Sequence, residues 1–165
     1  MSLEIVDYRP EFAAAFRDIN LEWIETMFSA EALDLEVLNH PDRHILEPGG
    51  QILVALLEGQ PVGVGALMCT GPGRYELTKM GVRPAAQGHK AGARLLLALV
   101  ERARQLEADE LYLLSSTKCE AAVHLYEKHG FVHDGDIMER FGKNYQRCNV
   151  AMSYPLSAEA SRAAR

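Results

Sequence analysis

Apolar residues recur along this chain with two different periods, and the switch between them marks its elements. "SLEIVDY" alternates apolar and polar positions, as a strand with one buried face does. From Pro10 to Phe28 the apolar positions Phe12, Phe16, Ile19, Trp23 and Met27 return every three or four residues, which predicts an amphipathic helix. "SAEALDLEVLN" predicts a second helix with Ser29 as its N-cap, and "NHPDRHILEPGG" a loop. "QILVALLEG" and "QPVGVGALMCT" read as a hairpin across a Glu-Gly-Gln-Pro turn, and "GPGR" turns the chain into a further strand, "YELTKMGV". The period then lengthens. Leu95, Leu96, Leu99, Val100, Ala103 and Leu106 form one helical face. A strand "LYLLSS" follows, then a helix "CEAAVHLYEKHG" stopped by Gly130, a strand "FVHDGDI" and a closing strand in "QRCNVAMSYPL".

The predicted order is β-α-α-β-β-β-α-β-α-β-β. The passage from Tyr75 to Ser116 requires a right-handed crossover between parallel strands. The fold class is therefore α/β, a mixed sheet with helices on both faces. One domain is expected over residues 1–156. The remaining "SAEASRAAR", residues 157–165, lacks apolar periodicity and reads as a flexible tail.

Composition narrows the function classes. The chain has 165 residues and a net charge of −6, which disfavours a nucleic-acid partner because such binding needs a concentrated positive field. No apolar run approaches the roughly 20 residues of a membrane span, and "MSLEIVDYRP" does not read as a signal peptide. Cys69, Cys119 and Cys148 are widely spaced and form no CxxC, so reduced thiols in a cytoplasmic protein are expected.

The approach to the long aliphatic helix carries the strongest chemical signal. "QGHKAG" places Gly88 and Gly92 just before it, with Gln87, His89, Lys90 and Arg94 as side-chain donors. A helix N-terminus offers unpaired N–H groups and partial positive charge, and glycines allow a phosphate close to the backbone. Lys90 is followed by Ala91 rather than Ser or Thr, which excludes a Walker A loop, and a Rossmann fingerprint would follow the first strand. Glycines of this kind also serve a tight strand-to-helix turn, so the loop alone leaves both readings open.

The flanks add a resemblance. A strand ending "VRP", then "QGHKAG", then an aliphatic helix resembles the acyl-CoA-binding motif of the GNAT superfamily of N-acetyltransferases, in which Arg/Gln-x-x-Gly-x-Gly/Ala follows "V-x-P". Gln87 and Gly92 hold their places, while Lys90 stands where the motif has its central glycine. Lys90 is expected to keep a helical backbone there and to add a charge contact. "AAVHLYEKHGF" resembles the superfamily's "A-x-x-LYEKxGF", "ELTKMGV" its "ELxxMxV" strand, and "NVAMSYPL" its closing strand. The resemblance covers about Gln51 to Leu156.

It implies a mostly antiparallel mixed sheet splayed between its fourth and fifth strands, with acetyl-CoA as cosubstrate and no metal. The pantetheine would lie in the gap between Glu76–Val82 and Leu111–Ser116, held by backbone groups of Met80 and Val82. The diphosphate would rest on Gln87, Gly88, His89, Lys90, Ala91, Gly92, Ala93 and Arg94. Tyr126 is implied as the general acid for the departing thiolate, although an aromatic packed on an amphipathic helix would look the same. Glu76 is implied as the general base. On an unbroken strand Glu76, Thr78 and Met80 share a face, so Glu76 would look into the cleft beside Met80.

Cys119, at the start of the helix bearing Tyr126, is read as a cofactor-lining residue. The helix dipole there would favour a thiolate, but direct transfer in a ternary complex makes a cysteine nucleophile the lesser reading. The histidines do not form a ligand set: His40 and His44 flank a proline loop, and His129 and His133 straddle Gly130. For the acceptor, Trp23, Met27 and Phe28 in the first helix and Tyr145 and Arg147 in the final hairpin border the implied pocket, and Arg147 could pair with a substrate carboxylate. The expected function is transfer of an acetyl group to a primary amine of a small molecule, or of a protein or peptide. The alternative is a non-catalytic acyl-CoA-binding or sensing module. Dimers are common in the superfamily, and the sequence carries no interface signal of its own.

Overall fold

The computed structural model describes residues 2–86 and 88–156. Gln87 and the tail expected over residues 157–165 lie outside them. Strands β1 (Leu3–Asp7), β2 (Gln51–Leu57), β3 (Gln60–Gly71), β4 (Arg74–Val82), β5 (Glu110–Ser115), β6 (Val132–His133) and β7 (Val150–Tyr154) form one sheet in the order β1-β2-β3-β4-β5-β7-β6. Only β4 and β5 run parallel; the other neighbouring pairs are antiparallel.

The helices are α1 (Ala13–Met27), α2 (Ala32–Asn39), α3 (Ala91–Gln105), α4 (Glu120–Lys128) and α5 (Gly135–Phe141). The sheet separates them into two layers. Leu53, Ala55, Leu67, Leu77, Leu111 and Leu113 face α3 and α4. Ile52, Val54, Val64 and Ala66 face α1 and α2, and Tyr112 and Ala151 face α5. Strand β2 therefore buries both of its faces, which explains why "QILVALL" is a continuous apolar run rather than an alternating one. The β2–β3 turn places Glu58 and Gly59 at φ 51° and 82°, the handedness that suits a two-residue hairpin.

Helix α3 buries Leu95, Leu96, Leu99, Val100 and Ala103, the face its periodicity marks. It lies so close to β3 that a Cβ on Gly65 would come 2.6 Å from a Leu99 methyl. No helix among the described residues is long and apolar enough to cross a membrane.

Three expectations change. The segment "FVHDGDI" is not one strand. Its pairing ends at His133, and Asp134 caps α5 by accepting hydrogen bonds from the Asp136 and Ile137 amides at 3.0 and 3.2 Å. The second helix is capped by Glu31 rather than Ser29, because Glu31 and Asp34 form a reciprocal capping box. The loop before β2 contains a π-helical turn, Asp42–Leu46, whose Ile45 is fully buried against the α1 layer.

Candidate active site

Strands β4 and β5 share three residue pairs, Arg74 with Glu110, Tyr75 with Leu111 and Glu76 with Tyr112, and then part. β4 continues to Val82 and β5 to Ser115 without further pairing, which opens a cleft of about 490 Å³ through the sheet. That volume suits a small-molecule site.

A bulge shapes the β4 wall. Pairing with β3 steps from Ala66–Thr78 to Val64–Gly81, so Lys79 and Met80 together oppose Gly65. Lys79 adopts φ 52° at this step. The extra residue reverses the side-chain phase. Met80 and Val82 join Leu77 against the α3 layer, while Gly81 turns to α1, where a Cβ would come 2.5 Å from the Trp23 ring. Glu76 and Met80, expected on one face, therefore project to opposite faces. Both still line the cleft, because it passes between the two layers.

Glu76 is 5 % exposed, and burial pushes its carboxyl up to about 7 against the pull of Lys79 and the hydroxyls of Thr78 and Tyr112. Tyr126 lines the opposite wall from α4, packed edge-on against Phe131 with ring centroids 5.9 Å apart. Burial raises its phenol, with the Cys119 side chain adding to the effect, so the hydroxyl keeps its proton at neutral pH. Cys119 does stand at the N-cap of α4 and line the cleft. Desolvation raises its thiol against the pull of Ser115 and Arg147, which accords with a lining residue rather than a nucleophile.

The N-terminus of α3 stands at the cleft mouth. No side chain caps it, and its first helical bond runs from the Arg94 amide to the Lys90 carbonyl at 3.0 Å. The amides of Ala91, Gly92 and Ala93 consequently have no acceptor within the helix. Gly88 has φ 95°, with open space where a Cβ would sit. Lys90 is the N-cap itself at φ 58° and ψ 30°, a left-handed conformation rather than the expected first-turn helical one. It thus keeps the backbone that glycine would adopt and adds an exposed charge. Lys90 and Arg94 are exposed, His89 is half-buried and Ala91 is buried. Of the described loop residues Gly92 lines the cleft, and the others flank it. Uncapped amides, an open glycine and two exposed cations fit a diphosphate.

The acceptor candidates Trp23, Phe28, Tyr145 and Arg147 also come together at the cleft, joined by Met27. Tyr145 and Arg147 sit in the connection from α5 to β7 rather than in a hairpin, since β7 begins at Val150. Behind them lies a cluster that the sequence did not disclose. Asp34, fully buried, accepts from Lys79 Nζ at 2.9 Å, from Arg147 Nη1 and Nη2 at 2.7 and 2.8 Å, and from the Glu31 amide at 2.9 Å. These donors hold its carboxyl far below the usual range despite its burial. Lys79, 4 % exposed, also donates to the Tyr145 hydroxyl at 2.9 Å. The histidines settle elsewhere: His44 pairs with Glu36 and His133 with Glu127, both at the surface. No three His, Cys, Asp or Glu side chains among the described residues gather as a metal-ligand group would.

Comparison with known proteins places this geometry. A family model described as an acetyltransferase (GNAT) domain matches residues 48–133, a span that includes the bulged strand, the α3 loop and α4. The chain belongs to the GNAT acetyltransferase family. This GNAT chain is 34% identical over 98 residues to the N-alpha-acetyltransferase RimI of Mycobacterium tuberculosis, a match covering 59% of the chain and 57% of that protein. In fold it is similar to an acetyltransferase of the GNAT family from Staphylococcus aureus MU50, with a TM-score of 0.82, 22% identity, and coverage of 93% of this chain and 98% of the other. It is also similar to the PaiA N-acetyltransferase of Thermoplasma acidophilum, solved in complex with coenzyme A, with a TM-score of 0.67, 16% identity, and coverage of 93% and 99%.

Proposed function

We propose that this protein is an acetyl-CoA-dependent N-acetyltransferase that transfers directly to a primary amine in a ternary complex. The observation that carries this reading is the parting of β4 from β5, with Glu76 and Tyr126 on its opposite walls. The thioester of acetyl-CoA supplies the activated acyl group. The α3 N-terminus, with Gly88, Lys90, Gly92 and Arg94, would hold the diphosphate, and backbone groups of Met80 and Val82 would hold the pantetheine arm and polarise the thioester carbonyl.

Glu76 takes a proton from the acceptor ammonium, directly or through water, so that the free amine can attack. A carboxyl near 7 is matched to that task at neutral pH. As the C–N bond forms and the C–S bond breaks, Tyr126 donates its proton to the departing thiolate. Small-molecule amines are the favoured acceptors, because the cleft is a concave pocket with aromatic walls. The name of the mycobacterial relative keeps an α-amine of a protein or peptide as the second acceptor class. Three free cysteines support a cytoplasmic location.

Calorimetry with acetyl-CoA tests the reading, on wild type and on Gly92→Trp. A Cβ at Gly92 meets only a Leu125 methyl at 3.5 Å, so the indole would fold beside it and fill the cleft. Micromolar binding that disappears in the variant is the expected result. Binding without turnover of any amine would identify a non-catalytic acyl-CoA-binding module. Absence of binding by wild type would overturn the reading.

A further inference from the structure

The acceptor end of the cleft has an uneven charge inventory. Two cations border it from behind, Lys79 and Arg147, and both are already neutralised. Asp34 takes two hydrogen bonds from Arg147 and one from Lys79, and Glu31 adds a contact to Arg147 at 3.1 Å. Arg147 is therefore held in an internal network and is not free to meet a substrate carboxylate, the role the sequence suggested for it.

Two charged groups on this side, Glu76 and Lys118, form no ion pair among the described residues, although Glu76 meets the hydroxyls of Thr78 and Tyr112 and the field of Lys79. Glu76 lies deep, behind the aromatic walls. Lys118 lies at the rim, exposed, with its ammonium 5.3 Å above the Phe28 ring and no carboxylate within ion-pairing distance among the described residues. The other carboxylate lining the cleft, Glu120, belongs to the first turn of α4, in the layer across the sheet. Trp23, Met27 and Phe28 give the α1 side of the cleft an apolar wall. Trp23 turns its indole N–H away to Asn20 at 3.0 Å, Phe28 is half-buried, and Met27 remains 37 % exposed, as side chains shaped for a ligand rather than a core would be.

Resting on the acetyl-transfer reading above, we propose that the acceptor is an apolar amine that also bears a carboxylate, the chemistry of a hydrophobic amino acid. Its ammonium meets Glu76, its body covers Trp23 and Phe28, and its carboxylate meets Lys118. A diamine is selected against, because its second ammonium would arrive beside the like charge of Lys118. A peptide α-amine is also disfavoured, since an amide carbonyl in place of the carboxylate leaves Lys118 without a counter-charge.

The test is steady-state kinetics at saturating acetyl-CoA with matched acceptors. One set is an ω-amino acid, its carboxamide, and the monoamine and diamine of the same chain length; the other is phenylalanine with phenylalaninamide. In at least one set, kcat/KM should favour the carboxylate over its carboxamide by about three- to tenfold, the range of a partly exposed charge pair. The diamine should be the poorest of its set. In Lys118→Glu the carboxylate-to-carboxamide ratio should fall below one and the diamine-to-monoamine ratio should rise, with acetyl-CoA affinity by calorimetry showing that the variant is folded. Equal ratios in wild type and variant, or a diamine as the best acceptor, would overturn the assignment. So would acetyl-CoA binding with none of these amines consumed, which leaves the cofactor reading standing. Loss of acetyl-CoA binding itself would remove both.

Discussion

Burial raises both Glu76 and Tyr126, with opposite chemical consequences. A base must lose its proton to act, so kcat/KM should climb with pH through about 7 as Glu76 ionises. Glu76→Gln should remove that limb and lower kcat by roughly 10²-fold. An acid must keep its proton, which a raised phenol guarantees, and Tyr126→Phe should lower kcat on a similar scale while leaving the acetyl-CoA Kd in place. The same shift makes a statement about stability. The folded state holds the Glu76 proton more tightly than the unfolded chain does, so this contribution is complete below about 4.5 and is lost as pH rises through about 7. Thermal melts of Glu76→Gln should show less loss of Tm across that window than wild type. Asp34 runs the other way, with its contribution present above the ordinary carboxylate range and lost in acid. Lys79→Met leaves Asp34 with less compensation in a buried site and should cost about 3 kcal/mol by denaturant unfolding. The positions of Glu76 and Tyr126 at the cleft were legible because short motifs carry them. The Asp34–Lys79 pair was not, because it joins residues 45 positions apart that belong to no shared motif.

Helix α3 was readable because one unbroken apolar stripe is all that its packing requires. Strand β4 was misread for the converse reason. A bulge at Lys79 inverts the phase of every later side chain, and lysine carries none of the glycine or proline signals that announce a bulge. The strand expected over "FVHDGDI" is cut short in the same way, because Asp134 leaves the sheet to cap α5 and the alternation before it does not announce the change. The left-handed conformation of Lys90 costs an L-residue about 1 kcal/mol, so Lys90→Gly should raise unfolding stability by roughly that amount, whereas Lys90→Val should lower it. If the ammonium contributes to diphosphate binding, Lys90→Gly should also weaken acetyl-CoA binding severalfold and flatten its salt dependence, as calorimetry at two ionic strengths would show.

At the scale of the molecule, the layered architecture followed from the two periods, but the cleft did not follow from any pattern of its own. It exists because pairing between β4 and β5 stops after three rungs, and only the family resemblance indicated where to expect it. That seam also divides the chain in order. Everything before it, β1 to β4 with α1 to α3, ends at Gln105; everything after it, β5 to β7 with α4 and α5, begins at Glu110. The first piece carries Glu76 and the phosphate-binding loop, and the second carries Tyr126 and Lys118. A single short turn, residues 106–109, is the only covalent tie between them. The protein is therefore a natural candidate for division into two co-expressed fragments, neither with a complete site, whose recovered acetylation would report that two tethered partners had met.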